Sequence, residues 1–307
     1  MAVETPQRAP AETPAPREPG KPRNLTGLWF ALPFLLIYAV FMIWPILAGL
    51  WSSLFNTSLA GGDVEFLGLG NYAEMARDGA VWDSLWNTAY FTLLSTPPLV
   101  LAGLGMALLA HRARRTGWLL RFAFFMPFLL PVTVVALIWL WIYQSDFGLL
   151  NAAIEWFGGD PVAWINDERT AMWAVVICTL WWTVGFNFLL YLAALQGIPR
   201  ELHESAAVDG ATPGQRLWRI TLPLLRRTTG LVLVLQLIAS LKIFDQVYLL
   251  NEGNAGPITR PLIQYVYEQG FTSYRIGYAS AISYLLFLII IVVAFAQFKI
   301  FSAGRDD

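Results

Sequence analysis

Five stretches of this chain run for more than twenty residues without a charged side chain: 24–62, 84–111, 122–145, 170–199 and 276–298. A helix needs about 20 residues to cross about 30 Å of hydrocarbon, so each of these runs is long enough to span a bilayer. A sixth segment, about 228–250, is apolar apart from Lys242 and Asp245. Of the 307 residues, 57% are hydrophobic and only 13% charged, against about 25% charged in an ordinary soluble domain. The fold class that follows is an all-α integral membrane protein with six transmembrane helices. Their cores are expected near 28–51, 88–110, 120–143, 171–194, 228–250 and 277–300.

The basic residues orient these spans. The segment before the first span and the one after the last share a side with the 2–3 and 4–5 loops. These four carry fifteen Lys and Arg, including Arg112, Arg114, Arg115, Arg121, Arg200, Arg216, Arg219, Arg226 and Arg227. The other side has only Arg77, Arg169, Arg260 and Arg275. The expectation is a multi-pass membrane protein with both termini in the cytoplasm. Residues 1–23 hold six prolines and almost no large apolar side chains, the composition of a disordered tail. The domain reading is therefore a tail over 1–23, a transmembrane domain over 24–303 and a short cytoplasmic end over 304–307.

Several spans contain proline, which removes a backbone donor and bends or interrupts a helix. Pro33 and Pro45 fall in the first, Pro97 and Pro98 in the second, Pro127 and Pro131 in the third. "FFMPFLLP" at 124–131 is the best place for a kink that opens a path. The single cysteine, Cys178, lies within a span and reads as a packing residue.

Catalytic chemistry has little to rest on. The only Gly-Lys pair, Gly20–Lys21, is followed by proline, so there is no Walker A pattern. No metal is expected: HExxH and CxxC are absent, and His111 and His203 are far apart, without ligand partners. No catalytic residue is assigned, and the chain is read as non-enzymatic.

The 4–5 loop, "ESAAVDGATPGQRLWRITLP" (204–223), has clear local logic. Pro199 suits the first turn of a short helix running through Glu201, Glu204 and Val208. Asp209–Gly210 then makes a turn in which glycine permits positive φ. Thr212 and Gln215 fit a capping box that starts a second helix carrying Arg216, Leu217, Trp218 and Ile220. Pro223 would open the fifth span. Ser205, Ala206 and Ala207 let another surface approach closely. An amphipathic helix lying on headgroups would account for the arginines and Trp218 but not for the acidic pair or the fixed glycine.

On these residues the loop at 198–225, "IPRELHESAAVDGATPGQRLWRITLPLL", resembles the EAA motif of the membrane subunits of binding-protein-dependent ABC importers. The matching groups are Glu204-Ser205-Ala206, Asp209-Gly210-Ala211 and Ile220-Thr221-Leu222-Pro223. Ser205 stands where alanine is usual and Arg227 where proline is frequent. "IFDQVYLLNEGNAGPITRPLIQYVYEQGFTSYRIGYASAISYLLFLII" (243–290), "LGLGNY" (67–72) and "FFMPFLLPVTVVALIWLWIY" (124–143) are similar to the carbohydrate branch, in particular to the first, maltose-type, membrane subunit. The family's glycine-proline-threonine loop is matched by Gly253-Asn254-Ala255-Gly256-Pro257-Ile258-Thr259 in a slightly expanded form. The resemblance covers about 27–303.

It implies a coupling loop (198–223) that docks an ATPase subunit through Glu201, Glu204, Ser205, Ala206, Asp209 and Gly210. It also implies two ATPase copies that bind ATP and Mg, a second permease subunit of similar fold and an extracytoplasmic solute-binding protein. This chain itself would bind no cofactor. The short outer loops, about 52–87, 144–170 and 251–276, agree with capture by another chain. A partner nucleic acid is not expected.

Polar side chains within spans are costly and tend to be functional, which selects Thr183, Phe186 and Asn187, then Gln236, Ser240 and Phe244, then Tyr278 and Ser283 as substrate-path candidates. Amides and hydroxyls beside aromatic rings suit a neutral polyol. Helix–helix hydrogen bonding explains the same residues equally well. Lys242 lies about 22 Å along its span from Arg227 at 1.5 Å per residue and stands i, i+3 from Asp245. Together they are a candidate outer gate. The function expected is import of a sugar or oligosaccharide by alternating access. The alternatives are a permease for glycerol phosphate or another small solute, and a self-contained secondary transporter.

Overall fold

A chain in hydrocarbon must satisfy its backbone polar groups internally, and the architecture is accordingly helical. The structure, a computed structural model, describes residues 26–113, 116–253 and 258–302. The expected tail (1–23), Arg114, Arg115, residues 254–257 of the expanded glycine loop and the 304–307 end lie outside the described residues. The chain divides into two units, Met1–Ala48 and Gly49–Asp307. In the first, α1 (Thr26–Tyr38) passes through a π-helical turn (Ala39–Ile43) into α2 (Trp44–Ser52), the element that continues into the second unit. The π turn falls just ahead of Pro45, where the missing N–H would interrupt a regular ladder.

The second unit continues with α3 (Gly70–Arg77), α4 (Gly79–Arg112), α5 (Gly117–Phe125), α6 (Val132–Ile142), α7 (Leu149–Trp156) and α8 (Ala171–Gln196). Then come α9 (Arg200–Val208), α10 (Pro213–Arg216), α11 (Leu222–Leu224), α12 (Arg226–Leu241), α13 (Asp245–Leu250), α14 (Leu262–Tyr267) and α15 (Ile276–Ser302). The one β contact among the described residues is an isolated bridge between Phe55 and Phe66. Among the described residues, four continuous helical segments are long and apolar enough to cross a membrane: Trp29–Ser52, Gly79–Arg112, Ala171–Gln196 and Ile276–Gln297. Two bent pairs pass the same length and composition test only when each is taken as one span.

The first pair breaks at 124–131, where the sequence predicts a kink, and the second bends between Leu224 and Arg226, where it predicts no break. Between α5 and α6 the axis turns by 97°, across a 3₁₀ turn at Met126–Leu129 and Pro131. The break leaves the Leu130 carbonyl without its helical partner, and the Trp182 indole N–H of α8 donates to it at 3.1 Å. Between α11 and α12 the bend is 59°. Pro223 lies inside α11, and α12 begins at Arg226 beyond the bend. By contrast α4 stays helical through Pro97 and Pro98.

Within hydrocarbon, helices associate through close packing more than through exclusion of water, and small residues mark the tightest contacts. A Cβ on Gly103 of α4 would stand 2.8 Å from the Asn187 Cβ and 3.1 Å from the Phe188 nitrogen of α8. One on Gly185 would stand 2.7 Å from the Phe124 carbonyl oxygen of α5. These contacts centre the bundle on α4 and α8, with α12 packed across both. Val100, Ala107, Phe188, Tyr191 and Val232 fill the core nearer α9. Phe91, Val135, Met172, Cys178 and Val247 fill a second cluster.

Candidate functional site

The α9–α10 element is built by short-range rules. Pro199 stands at the N-cap of α9, one residue earlier than the first-turn position expected. The helix ends in a Schellman motif: the Gly210 amide donates to Ala207 O at 3.1 Å and the Ala211 amide to Ala206 O at 2.9 Å. Gly210 has φ +80°, a conformation that costs an L side chain about 1 kcal/mol or more. The next helix opens with the capping box, Gln215 N to Thr212 Oγ1 at 3.3 Å and Thr212 N to Gln215 Oε1 at 2.8 Å. Arg216 ties the two helices together, its Nη1 donating to the His203 carbonyl at 3.4 Å. Glu201, Glu204, Ser205, Asp209 and Gly210 are exposed and Ala206 is half-buried. Val208, at the same tip, is 89% exposed. The Ser205 hydroxyl is turned back onto its own helix, donating to Glu201 O at 2.8 Å.

Three of the eight path candidates meet. Asn187 of α8 donates to Gln236 Oε1 of α12 at 2.9 Å, and Gln236 Nε2 donates to Ser240 Oγ at 3.1 Å. From α4, Ser95 Oγ lies 3.3 Å from Ser240 Oγ and Thr96 donates to it at 3.4 Å. All five are buried, and Asn187 Oδ1 is left without a donor. The sequence reading missed Ser95 and Thr96, although a "ST" pair ahead of two prolines in a span was the signal for them. The seam is uncharged and joins three helices.

The other candidates separate. Thr183 donates to Thr179 O and Ser283 to Ala279 O, each within its own helix, at 2.8 Å. Phe186 packs at 5.6 Å against Phe128, beside the 97° break. Phe244 joins an aromatic group, 5.4 Å from Tyr248 and 5.5 Å from Tyr267, while Phe271 lies 5.4 Å beyond Tyr267. Tyr278 corrects the mid-membrane expectation. It lies in the first turn of α15, buried, and donates to Asp78 at the N-terminal end of α4.

Helical i, i+3 pairing of Lys242 with Asp245 does not occur. α12 stops at Leu241, Phe244 adopts φ −152°, and α13 begins at Asp245, so Lys242 lies in the break between the two helices and Asp245 opens the second. Both are exposed, and the ion pairs among the described residues are Arg260–Glu268 and Arg275–Glu74 instead.

Those two pairs belong to a junction the sequence reading did not pick out. Asp78 caps α4 by accepting from Ala80 N at 2.9 Å. Its Oδ2 accepts from the Tyr265 and Tyr278 hydroxyls at 2.6 Å each. Arg260 lies 4.7 Å over the Tyr265 ring and Arg275 lies 4.5 Å over the Tyr278 ring. Burial alone would raise the Asp78 carboxyl, but the two phenols, the Ala80 amide and the Arg260 charge outweigh it and hold the group below the usual carboxylate value. Asp78 ahead of Gly79 was readable as a helix cap; its tyrosine partners, far along the chain, were not.

The histidines also differ from expectation. His111 and His203 line one cavity of about 620 Å³ at the α9 end of the bundle. Among the described residues no group of three His, Cys, Asp or Glu could hold a metal ion. A second cavity, about 420 Å³, lies at the Asp78 end, between Tyr143, Trp164 and Asn251.

With this geometry in view, the chain can be set beside known proteins. The family model described as "Binding-protein-dependent transport system inner membrane component" matches residues 99–304. The sulfoquinovosyl glycerol transport system permease protein SmoG of Agrobacterium fabrum is 32% identical, over 90% of this chain and 90% of its own. The arabinooligosaccharides transport system permease protein AraP of Bacillus subtilis is 32% identical, over 91% of this chain and 89% of its own. The sn-glycerol-3-phosphate transport system permease protein UgpA of Salmonella choleraesuis is 32% identical, over 87% and 90% respectively. A solved chain from a bacterial ABC transporter involved in the import of the acidic polysaccharide alginate has the same fold. Its TM-score is 0.79 at 22% identity, over 92% of this chain and 96% of that one.

Proposed function

This chain belongs to the family of binding-protein-dependent transport system inner membrane components, and from that premise we propose that it is the permease subunit of an ATP-driven importer for a sugar or oligosaccharide. Six spans, counting each bent pair as one, would carry the solute by alternating access, with α9 at the cytoplasmic face and both termini there. The partners in this reading are a second permease of similar fold, two ATPase subunits and an extracytoplasmic solute-binding protein. ATP and Mg belong to the ATPase subunits; this chain hydrolyses nothing.

The observation that carries the reading is the α9–α10 element. It is ordered by its own Schellman turn and capping box, yet it leaves Glu201 and Glu204 exposed along α9 and Val208 and Asp209 exposed at its tip. A surface that is rigid before it meets a partner loses little conformational entropy on docking. It can therefore transmit a closing motion of the ATPases to α8 and α12, the helices it connects. Glu204 supplies a charged contact in the ATPase cleft, Ser205 and Ala206 the close approach, and Asp209–Gly210 the turn.

For the solute, the neutral Asn187–Gln236–Ser240 seam and the aromatic group around Phe244 favour an uncharged saccharide. The relative UgpA keeps glycerol phosphate as the second reading, and a phosphate path would call for buried cations that the seam lacks. Lys242 and Asp245 remain proposed gate residues, one in the break between α12 and α13 and the other at the start of α13. The test is reconstitution into proteoliposomes with the partner subunits. Uptake should require ATP, the ATPase and the binding protein, and Glu204→Arg should abolish ATPase co-purification while membrane insertion stays intact. Uptake by this chain alone under an ion gradient would make it a secondary transporter instead.

A further inference from the structure

The cavity at the α9 end has a wall and a rim of different chemistry. Leu108 and Leu109 of α4, Leu195 and Ile198 at the end of α8, and Leu217 form an apolar wall. His111, Arg112, His203 and Arg216 stand around it, and among the described residues no acidic side chain lines it. The proposed ATPase-docking carboxylates, Glu201, Glu204 and Asp209, are not part of it. The Arg216 guanidinium is poorly satisfied: its Nη1 makes one hydrogen bond of 3.4 Å and its buried Nε makes none.

Two glycines keep this space open. Glycine inside a helix costs about 1 kcal/mol relative to alanine, and Gly103 justifies that cost by its contact with α8. Gly105, two residues further and on another face, does not: a Cβ built there meets nothing within 4 Å. Gly214, on the other side of the cavity, is equally uncrowded. Gly105 also sits in a stripe of α4, Leu101–Gly105–Leu109–Arg112, spaced for one helix face. Leu101, Leu109 and Arg112 of that stripe are exposed. The cavity therefore opens sideways along an apolar strip that ends in a cation.

We propose that this cavity holds one anionic phospholipid of the adjoining leaflet, an acyl chain lying along Gly105 and the phosphate set among His111, Arg112, His203 and Arg216. Apolar wall, basic rim and lateral opening match a charged amphiphile, as in other basic pockets between spanning helices. A soluble phosphate compound would use the rim and leave the wall unfilled. Bound there, the lipid bridges the inner ends of α4 and α8 to α9 and stiffens the base of the docking element. The orientation that puts this end at the anionic cytoplasmic leaflet rests on the function proposed above.

The test is native mass spectrometry of the full-length chain in detergent, titrated with dioleoyl phosphatidylglycerol, dioleoyl phosphatidylcholine and inorganic phosphate. Phosphatidylglycerol should form a one-to-one adduct at about tenfold lower concentration than phosphatidylcholine, a difference of about 1.4 kcal/mol. Gly105→Phe, which puts a ring into the cavity from a position where an added Cβ meets no other atom within 4 Å, should remove the adduct. Arg112→Gln combined with His203→Asn should erase the preference between the two lipids, and melting temperatures confirm that each variant is folded. Glu204→Arg should keep the adduct, so a failed docking assignment cannot imitate a failed lipid site. Equal affinity for the two lipids in the unmodified chain, or an adduct that survives Gly105→Phe, overturns the proposal. Displacement of the lipid by millimolar inorganic phosphate also overturns it, by making the site one for soluble anions.

Discussion

The α9–α10 loop and the Asn187–Gln236–Ser240 seam are both polar regions of an apolar protein, and they are organised in opposite ways. Every hydrogen bond that shapes the loop's turns joins residues at most five apart, and its carboxylates Glu201, Glu204 and Asp209 are exposed. The seam joins α4, α8 and α12, and its side chains are hidden from solvent. The loop presents a surface that holds its shape whether or not the bundle moves. The seam exists only while three helices keep their register, so a change of register between them is felt there first. A docking surface needs the first property, and a path that alternates between two states needs the second.

The largest test of this contrast is Gly103→Leu. The new side chain has no room between α4 and the backbone of α8, and overpacking costs about 1–3 kcal/mol. The melting temperature in detergent should fall by about 5 °C or more. An unchanged melt would mean that the contact holding the seam in register is not a rigid one. Next comes Gln236→Leu, which strands the Asn187 amide and removes the link to Ser240. A loss of about 1–2 kcal/mol is expected, with uptake reduced by more than that loss of stability explains. A proportionate loss of both would make the seam helix glue rather than path.

A smaller effect is expected at the Asp78 junction, read by acidification. Because the folded carboxyl titrates below its ordinary value, its contribution to stability is complete above the unfolded pKa of about 3.9. It is lost as pH falls through the lower folded value. The unmodified chain should therefore lose more stability between about pH 5 and pH 3 than Asp78→Asn does. Parallel pH profiles for the two would remove the carboxylate from the account. Thr212→Ala should have the smallest effect on stability. Losing the capping hydroxyl costs about 1 kcal/mol, confined to a loop that opens locally, so the global melt should not move. ATPase capture should weaken by about fivefold. A shifted global melt would show that the loop is coupled to the bundle more tightly than its hydrogen bonds indicate.

How much was legible follows the same division. The capping box at Thr212 and the positive-φ turn at Gly210 were readable because the groups that make them are neighbours in the chain. The proline break near 124–131 was readable as a position, but its angle was not: the 97° turn depends on Trp182 of another helix accepting the role of donor to Leu130. Lys242 and Asp245 looked like a helical pair because the sequence shows spacing and not where a helix stops. Tyr278 looked like a path residue because a hydroxyl in an apolar run gives no hint that Asp78 is its acceptor.

From the sequence alone came the helical, membrane-protein class and the segments apolar and long enough to cross a bilayer, because uncharged length and the need to satisfy backbone groups in hydrocarbon leave little choice. The form of the α9–α10 loop came from it too, through hydrogen bonds a few residues long. Packing alone set which polar side chains meet inside the bundle, brought Tyr265 and Tyr278 to Asp78, and placed His111 and His203 on one cavity. Helical periodicity assigns a side chain to a face, but packing chooses which faces meet, and that choice depends on close contacts such as the one at Gly103, between residues distant in the chain.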